Sequence, residues 1–136
     1  MTRAAIDTGA LLALASSRDQ YHAQAVATEA KFRRSGGQWV GTTLVLAELH
    51  GHLIRRLDPR EARRVLGAVI ADRAFDWRDA TVDLVRGAVE RWIAGYSDQR
   101  FSLTDAVTFE LMRRERIIRA FAFDRDFETA GYELLR

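Results

Sequence analysis

The stretch Ala4-Ala5-Ile6-Asp7-Thr8-Gly9-Ala10-Leu11-Leu12-Ala13-Leu14 decides the fold. A short apolar run halts at a carboxylate, and a hydroxyl, a glycine and a helix-favouring apolar segment follow. That order predicts a buried strand turning into a helix, with Asp7 at the turn. Asp is a preferred helix N-cap, so capping alone accounts for one carboxylate there. In an open parallel sheet, however, the carboxyl ends of the strands form the crevice in which ligands bind. Asp7 stands at such an end.

Outward from this stretch, the pattern alternates. Asp19 to Arg34 carries Ala23, Val26, Ala27 and Ala30 at helical spacing and ends at Ser35-Gly36-Gly37. Trp39 to Thr43 is short and β-prone, and it feeds a helix over Leu44 to Leu57 with Leu46, Leu49, Leu53 and Leu57 in register. Glu48 falls in the early turns of that helix, toward the edge of its apolar stripe. Asp58-Pro59-Arg60-Glu61 is a helix start, with Asp at the N-cap and Pro at the first helical position. Its stripe is Ala62, Val65, Leu66, Val69 and Ile70. Ala74 to Trp77 is a brief strand, and Asp79 is read as the cap of a helix striped by Val82, Val85, Ala88, Val89, Trp92 and Ile93. Phe101-Ser102-Leu103-Thr104-Asp105-Ala106 opens a further helix to about Arg114. The apolar run from Ile117 to Phe123 then stops at Asp124, and Tyr132 to Leu135 closes the series. Strands alternating with helices predict an α/β fold, a parallel sheet covered on both faces.

Composition narrows the function. The 136 residues, 48% hydrophobic and 29% charged, suit one domain with a proper core over 1–136. Cysteine is absent, which excludes disulfides and thiolate metal sites and fits a reducing cytoplasm. The N-terminal apolar stretch contains Asp7 and lacks a basic leader segment, and no run approaches the ~18 apolar residues that cross a bilayer, so no membrane association is expected. Net charge is only +2, yet Lys31 is the single lysine among the basic residues. Arginine offers planar bidentate donors for phosphate. If the acids gather in one cleft, the rest of the surface is more basic than the total suggests, which suits a polyanionic substrate.

Four carboxylates hold comparable places: Asp7 and Asp124 end apolar strands, while Glu48 and Asp105 lie in early helical turns. Acids crowded together raise one another's pKa, so keeping four implies divalent cations to neutralise them. An oxygen-only donor set points to Mg²⁺ or Mn²⁺ and to phosphoryl chemistry with metal-activated water. Each acid also has a plainer explanation. Ser102-x-x-Asp105 reads as a capping box, Glu48 as a solvated helix residue, and Asp124-Arg125-Asp126 as a turn whose Asp126 caps the short segment beyond it. Their coincidence at one sheet edge favours the site.

At these residues the chain resembles the PIN-domain ribonucleases, and specifically the VapC-type toxins of bacterial type II toxin–antitoxin pairs. The segments that carry the resemblance run from Ile6 to Leu14, Thr43 to Leu49, Phe101 to Ala106 and Ala122 to Phe127. The resemblance implies a PIN-like α/β/α sandwich whose five-stranded parallel sheet has the order 3-2-1-4-5. It further implies Mg²⁺-dependent endonucleolytic cleavage of single-stranded or looped RNA, and a homodimer neutralised by a cognate antitoxin protein. Asp7, Glu48, Asp105 and Asp124 match the family's acidic quartet, with Asp7 and Asp105 as direct metal ligands and Asp126 a second candidate for the last place. Thr8, Ser102 and Thr104 stand in support. Relatives often carry Ser two residues after the first Asp, where this chain has Gly9.

Two other readings compete. A PIN-like module that holds RNA or a protein without cutting would not need intact acids. An aspartyl-nucleophile phosphatase would use a pair such as Asp124-x-Asp126, but after its first strand. His50 and His52 are two apart on a helix and cannot share a metal as an i, i+4 pair could. His22 is read as a helix-surface residue or partner contact. Tyr21 and Phe32 are aromatic residues available for association. No glycine-rich phosphate loop, dinucleotide fingerprint or Ser-His-Asp ordering is present.

Overall fold

A computed structural model describes residues 2–135. The chain runs β1 (Arg3–Ile6), α1 (Thr8–Ala15), α2 (His22–Arg34), β2 (Gln38–Thr42), α3 (Thr43–Arg56), α4 (Pro59–Ala71) and β3 (Phe75–Arg78). It continues with α5 (Val82–Ala88), which passes into a π-helical turn (Val89–Ile93), then α6 (Leu103–Glu115), β4 (Arg119–Phe121), α7 (Asp126–Thr129) and β5 (Glu133–Leu134). The sheet order is β3-β2-β1-β4-β5 and every pairing is parallel. This is the α/β/α arrangement that the resemblance implies.

Strand periodicity explains the layers. In β1, Ala4 and Ile6 point to one face of the sheet and Ala5 to the other. Ala4 and Ile6 pack with Leu11, Phe32, Trp39, Leu49 and Phe121 beneath α1 to α4. Ala5 joins Ala88, Trp92, Phe109 and Met112 beneath α5 and α6. Phe109 centres the second layer, with ring centroids of Phe127 at 4.8 Å, Phe101 at 5.1 Å and Trp92 at 5.4 Å. Truncating so central a ring to alanine costs about 3–5 kcal/mol.

Several sequence-derived boundaries and faces are corrected. Asp19 precedes the second helix instead of starting it: α2 begins at His22, and Asp19 Oδ1 accepts the Tyr21 amide at 2.8 Å. The buried face of α2 is Ala25, Thr28 and Phe32, not the alanine and valine stripe, and Val26 is exposed. Phe32 is therefore core, stacked on Trp39 at 3.9 Å, and not available for association. His22 ties α2 to α1 through Nδ1 and the Ala13 carbonyl, 2.7 Å apart. In α3 the buried stripe is Val45, Leu49 and Leu53, with Leu57 exposed. In α4 only Ala62 is fully buried, and Ile70 is exposed.

Thr81, not Asp79, caps α5, its side chain accepting the Leu84 amide at 3.1 Å. The buried side of that helix is Leu84, Ala88 and Trp92, whereas Val82, Val89 and Ile93 face outward. Leu84, Ala88 and Trp92 stand at helical i, i+4, i+8 spacing, and the helix then passes into the π turn closed by the Val89–Ala94 bond of 2.8 Å. Ala88 and Trp92 thus keep the buried place the stripe gives them, and Trp92 Nε1 donates to Glu110 Oε1 at 3.2 Å. Strand β4 is only Arg119–Phe121, shorter than the apolar run around it, because Ala122 and Phe123 already belong to the turn that delivers Asp124. Helix α6 ends at Arg116 in the left-handed conformation, φ 57°, which reverses the chain into β4.

Candidate active site

Pairing of β1 with β4 puts the loops that follow them side by side, and the Asp7 amide donates to the Phe121 carbonyl at 3.2 Å. Asp7 is buried and is the N-cap of α1, its Oδ1 accepting the Ala10 amide at 2.9 Å. The capping reading of Asp7 is thus met through Oδ1. Asp105 lies in the first turn of α6, and Ser102 Oγ accepts its amide at 3.1 Å. Only this half of the expected capping box forms among the described residues. The Asp105 carboxylate instead lies with Asp124 and Asp126, each offering an oxygen such that the three lie within 4.8 Å of one another. Asp124 Oδ1 also accepts the Asp126 amide at 2.8 Å, which shapes the turn after β4. Glu48, half-buried in α3, and Asp7 lie outside that three-acid cluster, but the Glu48 charge is felt at both Asp7 and Asp105.

Electrostatics ties the five acids together. Burial, and then the charges of Asp105, Asp124 and Glu48, push Asp7 up to about 8 against the one lowering contact from Ala10. Burial, followed by Asp124, Glu48 and Asp126, raises Asp105 to about 7. Burial likewise raises Asp124, with Asp126 adding to it. Among the described residues, arginines pair with Glu29, Glu61, Asp72, Asp76, Asp83, Glu110 and Glu115, and with none of these five acids. Among the described residues the group therefore has no cationic partner.

These residues fit a hard divalent cation. The donor set is carboxylate oxygen only, which suits Mg²⁺ or Mn²⁺. Thr8 Oγ1, the hydroxyl beside Asp7 in sequence, is buried and lacks a hydrogen-bond partner, a polar atom left over for a bound ion's hydration shell. Gly9 leaves room as well, since a Cβ there would sit 3.5 Å from Asp7 Oδ1, at ordinary contact distance. Asp126 enters the acid group on the same footing as Asp105 and Asp124. The Thr104 carbonyl accepts from Thr108 Oγ1 at 3.1 Å, which leaves the Thr104 hydroxyl uninvolved in that bond. Both histidines of α3 lie outside the acid group.

An acid cluster at the carboxyl edge of a doubly wound parallel sheet defines an α/β/α domain built around a cation-type site. The PIN domain family matches residues 4–131, and the chain belongs to that family. It is similar to the 23S rRNA-specific endonuclease VapC20 of Mycobacterium tuberculosis, 39% identical over 56 residues. That alignment spans 41% of this chain and 42% of the relative, so the chain matches less than half the length of this curated relative. The crystal structure of M. tuberculosis VapC20, described as a sarcin-ricin loop cleaving toxin, superposes with a TM-score of 0.81 at 29% identity, covering 94% of this chain and 95% of that one. VapBC2 from Rickettsia felis, bound to a DNA fragment from its promoter, superposes with a TM-score of 0.70 at 12% identity over 98% and 97% of the chains, a likeness of fold alone.

Proposed function

We propose that this chain is a Mg²⁺-dependent endoribonuclease of the VapC toxin kind, working in the cytoplasm on an RNA phosphodiester and restrained by a cognate antitoxin. The single observation that carries the reading is the convergence of Asp7, Asp105 and Asp124 with Glu48 and Asp126 at one edge, without an arginine partner among the described residues. A purely structural role does not account for it, because caps and turns do not require acids to be buried against one another.

Asp7, Glu48, Asp105 and Asp124, with Asp126 as a further ligand, would hold the metal. When bound, a divalent cation neutralises the acids, lowers the pKa of its water and stabilises charge on the phosphate being attacked. The chain supplies the positioning. Asp7 is fixed by the α1 amide and Asp105 by its place after the Ser102 cap, so both are set before substrate arrives. Asp7 and Asp105 keep their protons near neutrality without metal and must release them to bind it. In the bound state either carboxylate, or Glu48, is placed to accept a proton from attacking water.

The likeness to VapC20, named for 23S rRNA, makes a structured rRNA loop the first substrate to test. The experiment is incubation of purified, antitoxin-free protein with total RNA in Mg²⁺, with cut sites mapped by sequencing of 5′ ends. Discrete cuts that disappear in chelator and in Asp105→Asn support the reading. Binding without cutting would leave the silent RNA-binding module as the function. Hydrolysis of a small phosphomonoester would favour the phosphatase.

A further inference from the structure

Two of the acids, Asp7 and Asp124, line a cavity of about 360 Å³ together with Leu12, Asp19, Tyr21 and Phe123. Two of its walls are aromatic. Tyr21 and Phe123 stack nearly parallel, with ring centroids 4.4 Å apart and an interplanar angle of 5°. Phe123 is anchored in turn by an edge contact to the fully buried Phe121, centroids 5.9 Å apart. Tyr21 is 39% exposed, although an aromatic ring next to the core would normally be covered. Its position is fixed by its neighbours, since Asp19 Oδ1 accepts its amide and His22 is tied to Ala13. A rigid, half-exposed ring with an aromatic backing beside clustered acids is thus built into the site.

Leu12 and Asp19 also line a second cavity of about 820 Å³, together with Arg18 and Arg56. Neither guanidinium pairs with an acid among the described residues. Asp7 and Asp124, the Tyr21–Phe123 pair and the two arginines thus lie around two neighbouring cavities that share the Leu12–Asp19 wall. This series of surfaces matches one chemistry, a flexible strand that carries phosphates and flat bases. Every base has a π-face, so stacking on an aromatic ring is tolerant of sequence, while arginine takes the backbone. A second protein copy would gain from the ring but would not call for it next to the acids.

We propose that Tyr21, backed by Phe123, stacks an unpaired base of the RNA adjoining the scissile phosphate, and that Arg18 and Arg56 hold phosphates of the same strand at the neighbouring cavity. The proposal rests on the nuclease reading for its substrate and names Tyr21 as a base-positioning residue.

The test crosses protein and RNA variants. Affinity for oligoadenylate, and for an abasic ribose-phosphate chain of equal length, is measured in Mg²⁺ by fluorescence anisotropy, with KM replacing Kd wherever the strand is cut. Tyr21→Ala should weaken oligoadenylate by about tenfold to a hundredfold and leave the abasic chain nearly unchanged. Tyr21→Trp should restore affinity. Arg18→Ala with Arg56→Ala should weaken both chains alike and flatten the salt dependence, by about 0.7 in slope for each phosphate the protein no longer neutralises. Equal weakening of both chains by Tyr21→Ala overturns the proposal, as does failure of wild type to bind either chain. Cleavage of RNA without base-dependent coupling would remove the stacking role and keep the nuclease. Coupling without cleavage would do the reverse. Thermal melting of each variant separates these outcomes from unfolding.

Discussion

Ser102 Oγ accepts the Asp105 amide at 3.1 Å, while the carboxylate of the same Asp105 lies with those of Asp124 and Asp126. Backbone and side chain of one residue thus serve two purposes, and they can be separated. Asp105→Asn keeps shape and the helix start but removes the charge. It should lower RNA cleavage about a thousandfold or more with an unchanged circular dichroism spectrum. Ser102→Ala should cost on the order of 1 kcal/mol of stability and reduce turnover far less. Full activity in folded Asp105→Asn would remove the acids from the mechanism.

Stability of the metal-free protein should fall with rising pH. Asp7, at about 8, and Asp105, at about 7, both lie above the ordinary 3.8, so the folded state binds more protons than the unfolded chain between those values. Ionising them in place therefore costs stability progressively as pH rises through that window. Denaturant titrations in chelator across it should show the decline. Asp7→Asn should flatten the profile, and a flat wild-type profile would contradict the burial argument.

A divalent cation should reverse the effect. Binding only the folded state adds about 2.7 kcal/mol at a hundredfold excess over Kd. The gain in melting temperature with Mn²⁺ or Mg²⁺ should be larger at high pH, where protons no longer compete for the carboxylates. An equal shift in an Asp7→Asn/Asp105→Asn protein would mean that the ion binds elsewhere.

Gly9→Ser should fold at least as well as wild type. A Cβ at Gly9 meets nothing closer than Asp7 Oδ1 at 3.5 Å, and replacing glycine within α1 favours the helix by about half a kcal/mol. The added hydroxyl beside Asp7 should tighten Mn²⁺ binding, read by calorimetry. Weaker binding with an intact fold would show that the glycine is required.

Glu110 is buried on α6 and bonded to Trp92, Arg113 and Arg114. Burial alone would raise it, but these hydrogen bonds outweigh burial and hold it at about 2, below its ordinary 4.5. Its contribution is therefore full above about 4.5 and fades as pH falls toward 2. Glu110→Gln keeps a partner for Trp92 but removes the charge facing Arg91, Arg113 and Arg114, of which Arg114 keeps Asp83, so a loss of roughly 1–2 kcal/mol is expected, discounted for solvent screening. RNA cleavage per folded molecule should be unchanged.

The strand-and-helix alternation and the acids at strand ends are legible in the sequence because both rest on local patterns: apolar runs halted by Asp7 and Asp124, and leucines at helical spacing around Glu48. Strand order comes from the resemblance, since periodicity does not say which strands adjoin. The faces of α2 and α5 elude the sequence for a different reason. Phe32 is buried by stacking on Trp39 of β2, a contact no local pattern shows, and in α5 Leu84 turns inward while Val82, Val89 and Ile93 stay exposed, although Ala88 and Trp92 keep the buried place the stripe gives them. Glu110 escapes notice because a lone acid in a helix looks solvated until Trp92 and two arginines are brought against it. Asp126 ranks second in the sequence because a turn-forming Asp and a ligand look alike there. The Tyr21–Phe123 stack joins residues distant in the chain, so no local pattern announces it.

The adjacency of β1 and β4 imposes a timetable on the acid cluster. Asp7 emerges first during synthesis and its partners Asp124 and Asp126 only after nearly all the rest, so every chain that stops short of β4 carries the early acids without their neighbours. The central strand β1 gains its second neighbour only when β4 has been made. If the proposed nuclease reading holds, a copy truncated before β4 would lack Asp124 and Asp126 and should not cut RNA, whatever else is bound to it.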